Sequence, residues 1–223
     1  MNNEVIVSGQ LTVKERALNL GYRIFKRIID IMGGIVGVII LLPMIVCVKI
    51  AYILTGDYNK IMFTQNRIGK NGKEFKLYKF RSMIMNADEI LFKYLEENEE
   101  AAKEYKRYKK LSNDPRITKV GKFIRRFSID EFPQFINVLK GDMSLVGPRP
   151  YLPREKEDMG EYFDSIVKSK PGITGFWQVN GRSATTFGKR LVMDEFYTSN
   201  CGTILDIKII IKTFLQFLGK DAK

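Results

Sequence analysis

Histidine is missing from all 223 residues, and the chain holds only two cysteines and one tryptophan. Without an imidazole there is no Ser-His-Asp or Cys-His activation of a nucleophile and no histidine-ligated metal. Cys47 lies inside an apolar run and Cys201 near the C-terminus. Neither a cysteine-rich zinc site nor a disulfide framework is expected, and a reducing cytoplasmic setting fits. No GxxxxGK[ST] loop and no GxGxxG is present, which removes the main support for ordinary triphosphatase or dinucleotide chemistry. Covalent chemistry is therefore left to carboxylate, hydroxyl or amine groups. A mean hydropathy of −0.15 is too polar for a polytopic membrane protein, whereas 45% hydrophobic and 12% aromatic residues argue against disorder. No repeat or low-complexity linker divides the chain, and its length suits one domain or one domain with an appendage.

Positive charge is abundant. Lys and Arg number 37 against 25 Asp and Glu, a formal charge of +12, so the expected partners are acidic: nucleic acid, anionic lipid or phosphorylated substrates. The 18 residues from Ile31 to Val48 carry no charge and as a helix would reach roughly 27 Å, about the thickness of the hydrocarbon layer. Lys14, Arg16, Arg23, Lys26 and Arg27 precede the run and Lys49, Lys60, Arg67, Lys70 and Lys73 follow it. The positive-inside rule thus places both ends in the cytoplasm. Pro43 offers the means, because a proline inside a helix removes a hydrogen bond and bends it. Two readings stand side by side: a helix that enters one leaflet, bends and leaves, and a single-pass helix with a kink. Gly33 and Gly37 form a GxxxG read as close packing rather than a dimer face. A nucleic-acid partner would leave the apolar run unexplained, and none is expected; a membrane-anchored basic scaffold is the other rival.

Along the rest, residues 1–20 read as a loose or weakly helical arm. Ile61–Arg67 and Glu74–Met83 are strand-like around Asn71-Gly72, a strong hairpin signal, and Lys79 and Arg81, two apart, share a face. Asp88–Leu111 reads as one charged helix and Ile129–Leu139 as another, stopped at Gly141. Met143–Val146 is strand-like and leads into Gly-Pro-Arg-Pro. Pro171-Gly172 marks a turn, and Ile204–Leu218 is an apolar helix with a basic edge, suited to a core or to a membrane surface.

Adjacent acids occur at Asp88-Glu89, Asp130-Glu131, Glu157-Asp158 and Asp194-Glu195, so the dipeptide alone is uninformative. Asp130-Glu131 differs in its surroundings: it follows Arg125 and Arg126 and precedes Phe132-Pro133. A structural reading makes Ser128 and Glu131 a capping box with Phe127 and Phe132 as its staple. A chemical reading uses the same helix start to lower a carboxylate pKa and receive phosphate oxygens. Arg149, between Pro148 and Pro150, sits on a stiff mount suited to bidentate phosphate binding, or else in a solvated turn. Arg182, after Asn180-Gly181, allows the same two readings.

From about Tyr22 to Phe217 the sequence resembles the bacterial sugar transferases, the small monotopic phosphoglycosyl transferases. The resemblance is carried by Lys26-Arg27 with Asp30, Pro43, FTQNRIG (63–69), YKFRSM (78–83), DPRIT (114–118), Arg125–Gln134, GDMSLVGPRP (141–150), PGITGFWQVNGR (171–182) and LDIK (205–208). It implies an α/β, compact monotopic membrane protein with a Pro-broken re-entrant helix over 21–54, a β-hairpin and interfacial amphipathic helices. Residues 55–223 would form the catalytic domain, folding as one unit with that helix. It implies transfer of a sugar-1-phosphate from a UDP-sugar to polyprenol (undecaprenyl) phosphate at the cytoplasmic face of the bacterial inner membrane, with release of UMP. It further implies a covalent intermediate on Asp130, Glu131 as its dyad partner, Mg²⁺ held by the two, and support from Arg125, Arg149, Arg182, Lys79, Arg81 and Asp206. Membrane lipids are implied partners and a homo-oligomer is left open. Leu42 departs from the pattern, since some members have serine before the proline.

Overall fold

The computed structural model describes residues 13–181 and 185–218. Its first element is α1, Val13–Leu54, a 42-residue helix with Pro43 inside it. The helix begins within the expected arm; residues 1–12 lie outside the described residues. It is long and apolar enough to cross a membrane. One stripe faces the remainder of the protein, with Lys26, Asp30, Gly33, Gly37, Leu41, Ile45, Val48 and Tyr52 at three- and four-residue intervals. Polar contacts dominate its first half: Lys26 Nζ donates to Val146 O at 2.9 Å, and the Ser144 hydroxyl and the Leu145 N–H donate to Asp30 Oδ1 at 2.9 and 2.8 Å. Glycines follow. A Cβ on Gly33 would stand 2.6 Å from Leu145 and one on Gly37 would collide with the Phe135 ring. The GxxxG is thus close packing within the chain. Beyond it, Leu41, Val48 and Tyr52 enter a core with Phe80, Val120 and Ile124.

The hairpin forms as the sequence predicts. Strands β1 (Met62–Ile68) and β2 (Glu74–Phe80) pair antiparallel from Met62↔Phe80 to Ile68↔Glu74. Asn71 and Gly72 both take positive φ, 58° and 74°, the conformation that Asn-Gly tolerates best. The charged stretch that reads as one helix is two, α2 (Ala87–Glu97) and α3 (Glu99–Tyr108). Asn98 divides them: its backbone is extended and its side chain accepts from Ala101 N at 3.0 Å, so it starts a new helix.

Helix α4 (Lys119–Arg126) is capped by Thr118 and leads into a 3₁₀ turn, Ile129–Glu131, and α5, Gln134–Lys140. The expected helix 129–139 is divided because Pro133 has no N–H to donate, although Phe132 and Pro133 keep helical dihedrals. Gly141, at φ 86°, ends α5 as expected. The capping box does not form. Ser128 sits in the left-handed region at φ 54° and its side chain caps nothing, while Phe127 turns to Phe123 and Phe132 to Phe135.

Two short strands, β3 (Ser144–Val146) and β4 (Gly172–Thr174), pair in parallel. Between them lie α6 (Lys156–Met159) and α7 (Phe163–Ile166). After β4 come α8 (Phe176–Asn180), α9 (Phe187–Asn200) and α10 (Thr203–Leu218). Among the described residues the fold is therefore mixed, with two small sheets and helices packed around them. Asn137, fully buried on α5, fastens that helix to β2. It accepts from Tyr78 N at 3.0 Å and donates to Lys76 O at 2.7 Å, pairing with β2 as a strand would.

Candidate active site

The end of β2 and the 3₁₀ turn bring three charged groups together. Lys79 Nζ lies 3.4 Å from Glu131 Oε1, and Asp130 beside them is only 7% exposed. Burial pushes the Asp130 carboxyl up to about 6; Lys79 and Arg125 pull it down, and Glu131 pushes it up. The sequence predicts the opposite direction from a helix start. A three-residue turn has too few aligned peptide dipoles to offset desolvation.

Glu131 and Lys79 share a cleft with two arginines. Arg67, Lys79, Glu131, Gln134, Arg149, Trp177 and Gln178 line a cavity of about 130 Å³. Arg67 is buried, its pKa lowered to about 10 by burial and then by Arg149. Arg190 is lowered to about 10 by the same two causes in the same order. The guanidinium carbons of Arg149 and Arg190 lie 5.7 and 5.1 Å from the centre of the Trp177 ring. Buried Nε atoms of all three arginines have no hydrogen-bond partner. Arg67 is held by donation to Pro150 O at 2.9 Å and Gln65 Oε1 at 2.7 Å, and Arg190 by donation to Tyr108 O at 2.8 Å; positive charge fixed and desolvated in this way is an arrangement that an incoming anion stabilises.

Arg149 owes its place to an acid that sequence reasoning passed over. Prolines on both sides have no N–H, and Arg149's own N–H donates to Asp194 Oδ2 at 3.0 Å. The Tyr151 hydroxyl donates to the same oxygen at 2.7 Å. Asp194 is fully buried, and burial raises its pKa to about 7. A signal for it exists in the sequence: Phe187, Arg190, Leu191, Asp194 and Tyr197 form the buried stripe of α9, so two charges occupy positions where the period demands apolar residues. Glu195, its neighbour in the dipeptide, lies off that stripe.

The other predicted residues fall elsewhere. Arg125 is exposed in the last turn of α4, within electrostatic reach of Asp130. Arg81 is buried and its donors are used, by Lys60 O at 2.7 Å, Met83 O at 3.2 Å and Asp57 Oδ2 at 2.9 Å. It stacks on Tyr52 and holds the end of α1. Asp206 sits at the other end of that helix, accepting from Lys26 at 2.7 Å, Tyr197 at 2.7 Å and Tyr22 at 3.0 Å. Neither lines the cleft. Arg182 lies outside the described residues.

No cluster of three or more His, Cys, Asp or Glu side chains suited to a metal occurs among the described residues. Asp130 and Glu131 supply two carboxylates. That donor set fits Mg²⁺, which binds through one or two carboxylates together with substrate phosphates and water, and does not fit a closed protein cage.

Residues 21–220 match the family model for bacterial sugar transferases. The chain is 41% identical over 211 residues to the undecaprenyl-phosphate galactose phosphotransferase of Salmonella typhimurium, covering 95% of this chain and 44% of that protein. It is 37% identical over 210 residues to the UDP-glucose:undecaprenyl-phosphate glucose-1-phosphate transferase of Escherichia coli, covering 90% and 42%. The exopolysaccharide production protein ExoY of Sinorhizobium fredii is 37% identical over 190 residues, 85% of this chain and 84% of that protein. The chain thus spans less than half the length of the first two relatives and most of the third.

Proposed function

The chain belongs to the bacterial sugar transferase family, and from that premise we propose that it transfers a sugar-1-phosphate from a UDP-sugar to polyprenol phosphate. The observation that carries the reading is a buried carboxylate, Asp130, which does not itself line the cleft but adjoins the Lys79–Glu131 pair that lines it together with Arg67 and Arg149. An aspartate oxygen attacks the phosphorus that bears the sugar, forming an Asp130–phosphosugar bond as the bond to the UMP oxygen breaks. A phosphate oxygen of the lipid then attacks the same phosphorus and frees Asp130, leaving a polyprenol diphosphate sugar. Attack of an anion on a diphosphate is opposed by repulsion, which Lys79, Arg67 and Arg149 reduce by neutralising the phosphate oxygens. When bound, Mg²⁺ would be held by Glu131 and Asp130 and would supply further neutralisation of the same oxygens.

The apolar helix explains how a greasy acceptor reaches this cleft. Both ends of α1 are fastened to one domain, by Lys26 and Asp30 at one end and Tyr52 at the other. A spanning helix would separate those ends by a bilayer, whereas a helix bent at Pro43 and re-entering the same leaflet keeps them together. Ile35, Val36, Ile39, Ile40, Leu42 and Val46 are exposed on its outer side. Phe123 and Phe127 near α4, with Ile204, Ile207, Ile211 and Phe214 on α10, extend the exposed apolar surface, and these helices lie at the membrane interface. The site then faces the cytoplasm of a bacterial inner membrane, where the UDP-sugar arrives.

Intact-mass measurement after incubation with a panel of UDP-sugars tests the reading. One donor should give UMP and a protein heavier by one phosphosugar without any lipid acceptor. Binding of the lipid phosphate with no adduct and no UMP from any donor would leave a membrane-bound scaffold instead.

A further inference from the structure

The cleft has two chemically different halves. Lys79, Arg67 and Arg149 offer only donors, as a diphosphate requires. The half built by α8 does not match an anion. There the Trp177 Nε1 donor and the Gln178 Oε1 acceptor are both buried and both without a partner. Gln178 donates from Nε2 to Ile173 O at 3.4 Å, which orients the amide and commits Oε1 to accept. Gly175 makes room for it, since a Cβ there would stand 2.8 Å from that oxygen. A phosphate has no proton to give Oε1 and would be repelled by it. What satisfies the two orphans is a neutral group carrying a donor and an acceptor together.

We infer that Trp177 and Gln178 form the specificity-determining part of the cleft, reading a neutral donor–acceptor group of the incoming nucleotide sugar. Two parts of such a molecule have that chemistry: a sugar hydroxyl, and the imide edge of uracil, where an N–H lies between carbonyls. The inference rests on the proposal above that the donor is a UDP-sugar. A site built to hydrogen-bond such a group discriminates strongly against a molecule lacking it, because its own polar atoms are then left buried and unpaired.

Trp177→Phe keeps a ring and removes the N–H; Gln178→Met keeps length and removes the amide. Dissociation constants are measured by calorimetry in an Asp130→Asn background, which forms no adduct, with and without each substitution, for pyrophosphate, UMP, UDP and the UDP-sugar that wild type turns over. Each variant should weaken the UDP-sugar about tenfold and leave pyrophosphate unchanged. Recognition of the sugar leaves UMP and UDP unchanged, and recognition of uracil weakens both as much as the UDP-sugar. Variants that melt as wild type does and bind all four ligands alike overturn the inference while leaving the transfer reaction standing. Equal weakening of pyrophosphate also overturns it, since the residues would then only hold the arginines. A wild type that binds no uridine nucleotide removes the transfer reaction and this inference together.

Discussion

Arg149 and Asp194 are 45 residues apart and meet through one hydrogen bond, the arginine's N–H donating to the buried carboxylate at 3.0 Å. Because Pro148 and Pro150 have no N–H, this bond uses the one backbone donor in the Pro-Arg-Pro mount. The stiffness of the mount therefore depends on α9 as well as on its own prolines. Asp194 also couples titration to folding. Its pKa is near 7 when folded and about 3.9 when unfolded, so between those values the native state binds more protons and stability falls as pH rises. Above pH 7 the contribution is flat. At full size the change is on the order of 4 kcal/mol. Subtracting the melting curve of Asp194→Asn from that of wild type between pH 4 and 8 isolates it, since Asp130, raised to about 6, is present in both. A pH-independent difference would show that Asp194 is ionised throughout.

Two helix starts should respond differently to mutation. Thr118 accepts from Gly121 N at 2.8 Å at the start of α4, and Thr118→Ala should cost about 1 kcal/mol. Ser128 caps nothing and holds a φ of 54°. Ser128→Gly should therefore be neutral or stabilise by about 0.5–1 kcal/mol. Denaturant melts compare the two, and a loss of stability in Ser128→Gly would restore a capping role to the serine.

The sequence revealed features held by local chemistry and hid those made by tertiary closure. Asn71-Gly72 dictates its own positive-φ turn, Gly141 its own helix end, and the apolar run its own helix. The break at Asn98 was also legible, because asparagine followed by two glutamates is a helix start, but a continuous charge pattern overrode it. Asp130 and Glu131 gained a role only from resemblance, since their surroundings equally suit a cap. Arg190 and Asp194 were hidden because their partners, Trp177 and Arg149, lie on other elements. Arg81 and Asp206 share their charge type with the cleft residues, yet hydrogen bonds commit them to the two ends of α1. Neither commitment is written in local sequence.

A re-entrant α1 places Gly21 and Asn59 on one side of the membrane. Gly21→Cys and Asn59→Cys, in a background lacking Cys47 and Cys201, should both escape a membrane-impermeant thiol reagent applied to intact cells and both react after lysis. Labelling of one but not the other from outside would establish a spanning helix.

Asp130 carries the sharpest expectation, because its proposed role requires a charge that its surroundings disfavour. Burial raises its pKa to about 6, and only the carboxylate is a nucleophile. Adduct formation with a UDP-sugar should therefore fall about tenfold for each unit on the acid side of a single midpoint and level off above it, the midpoint lying near pH 6 for the metal-free carboxyl and lower where Mg²⁺ is bound beside it. Asp130→Asn keeps the size of the side chain and removes the nucleophile. It should fold, bind the UDP-sugar, and form neither adduct nor UMP at any pH. Arg125→Gln removes a positive charge that lowers the pKa, so its profile should shift to higher pH with the plateau retained. A wild-type profile with no such fall on the acid side, or an Asp130→Asn protein that still releases UMP after mass spectrometry excludes reversion to aspartate, would assign the attack to another group or to direct transfer between the two substrates.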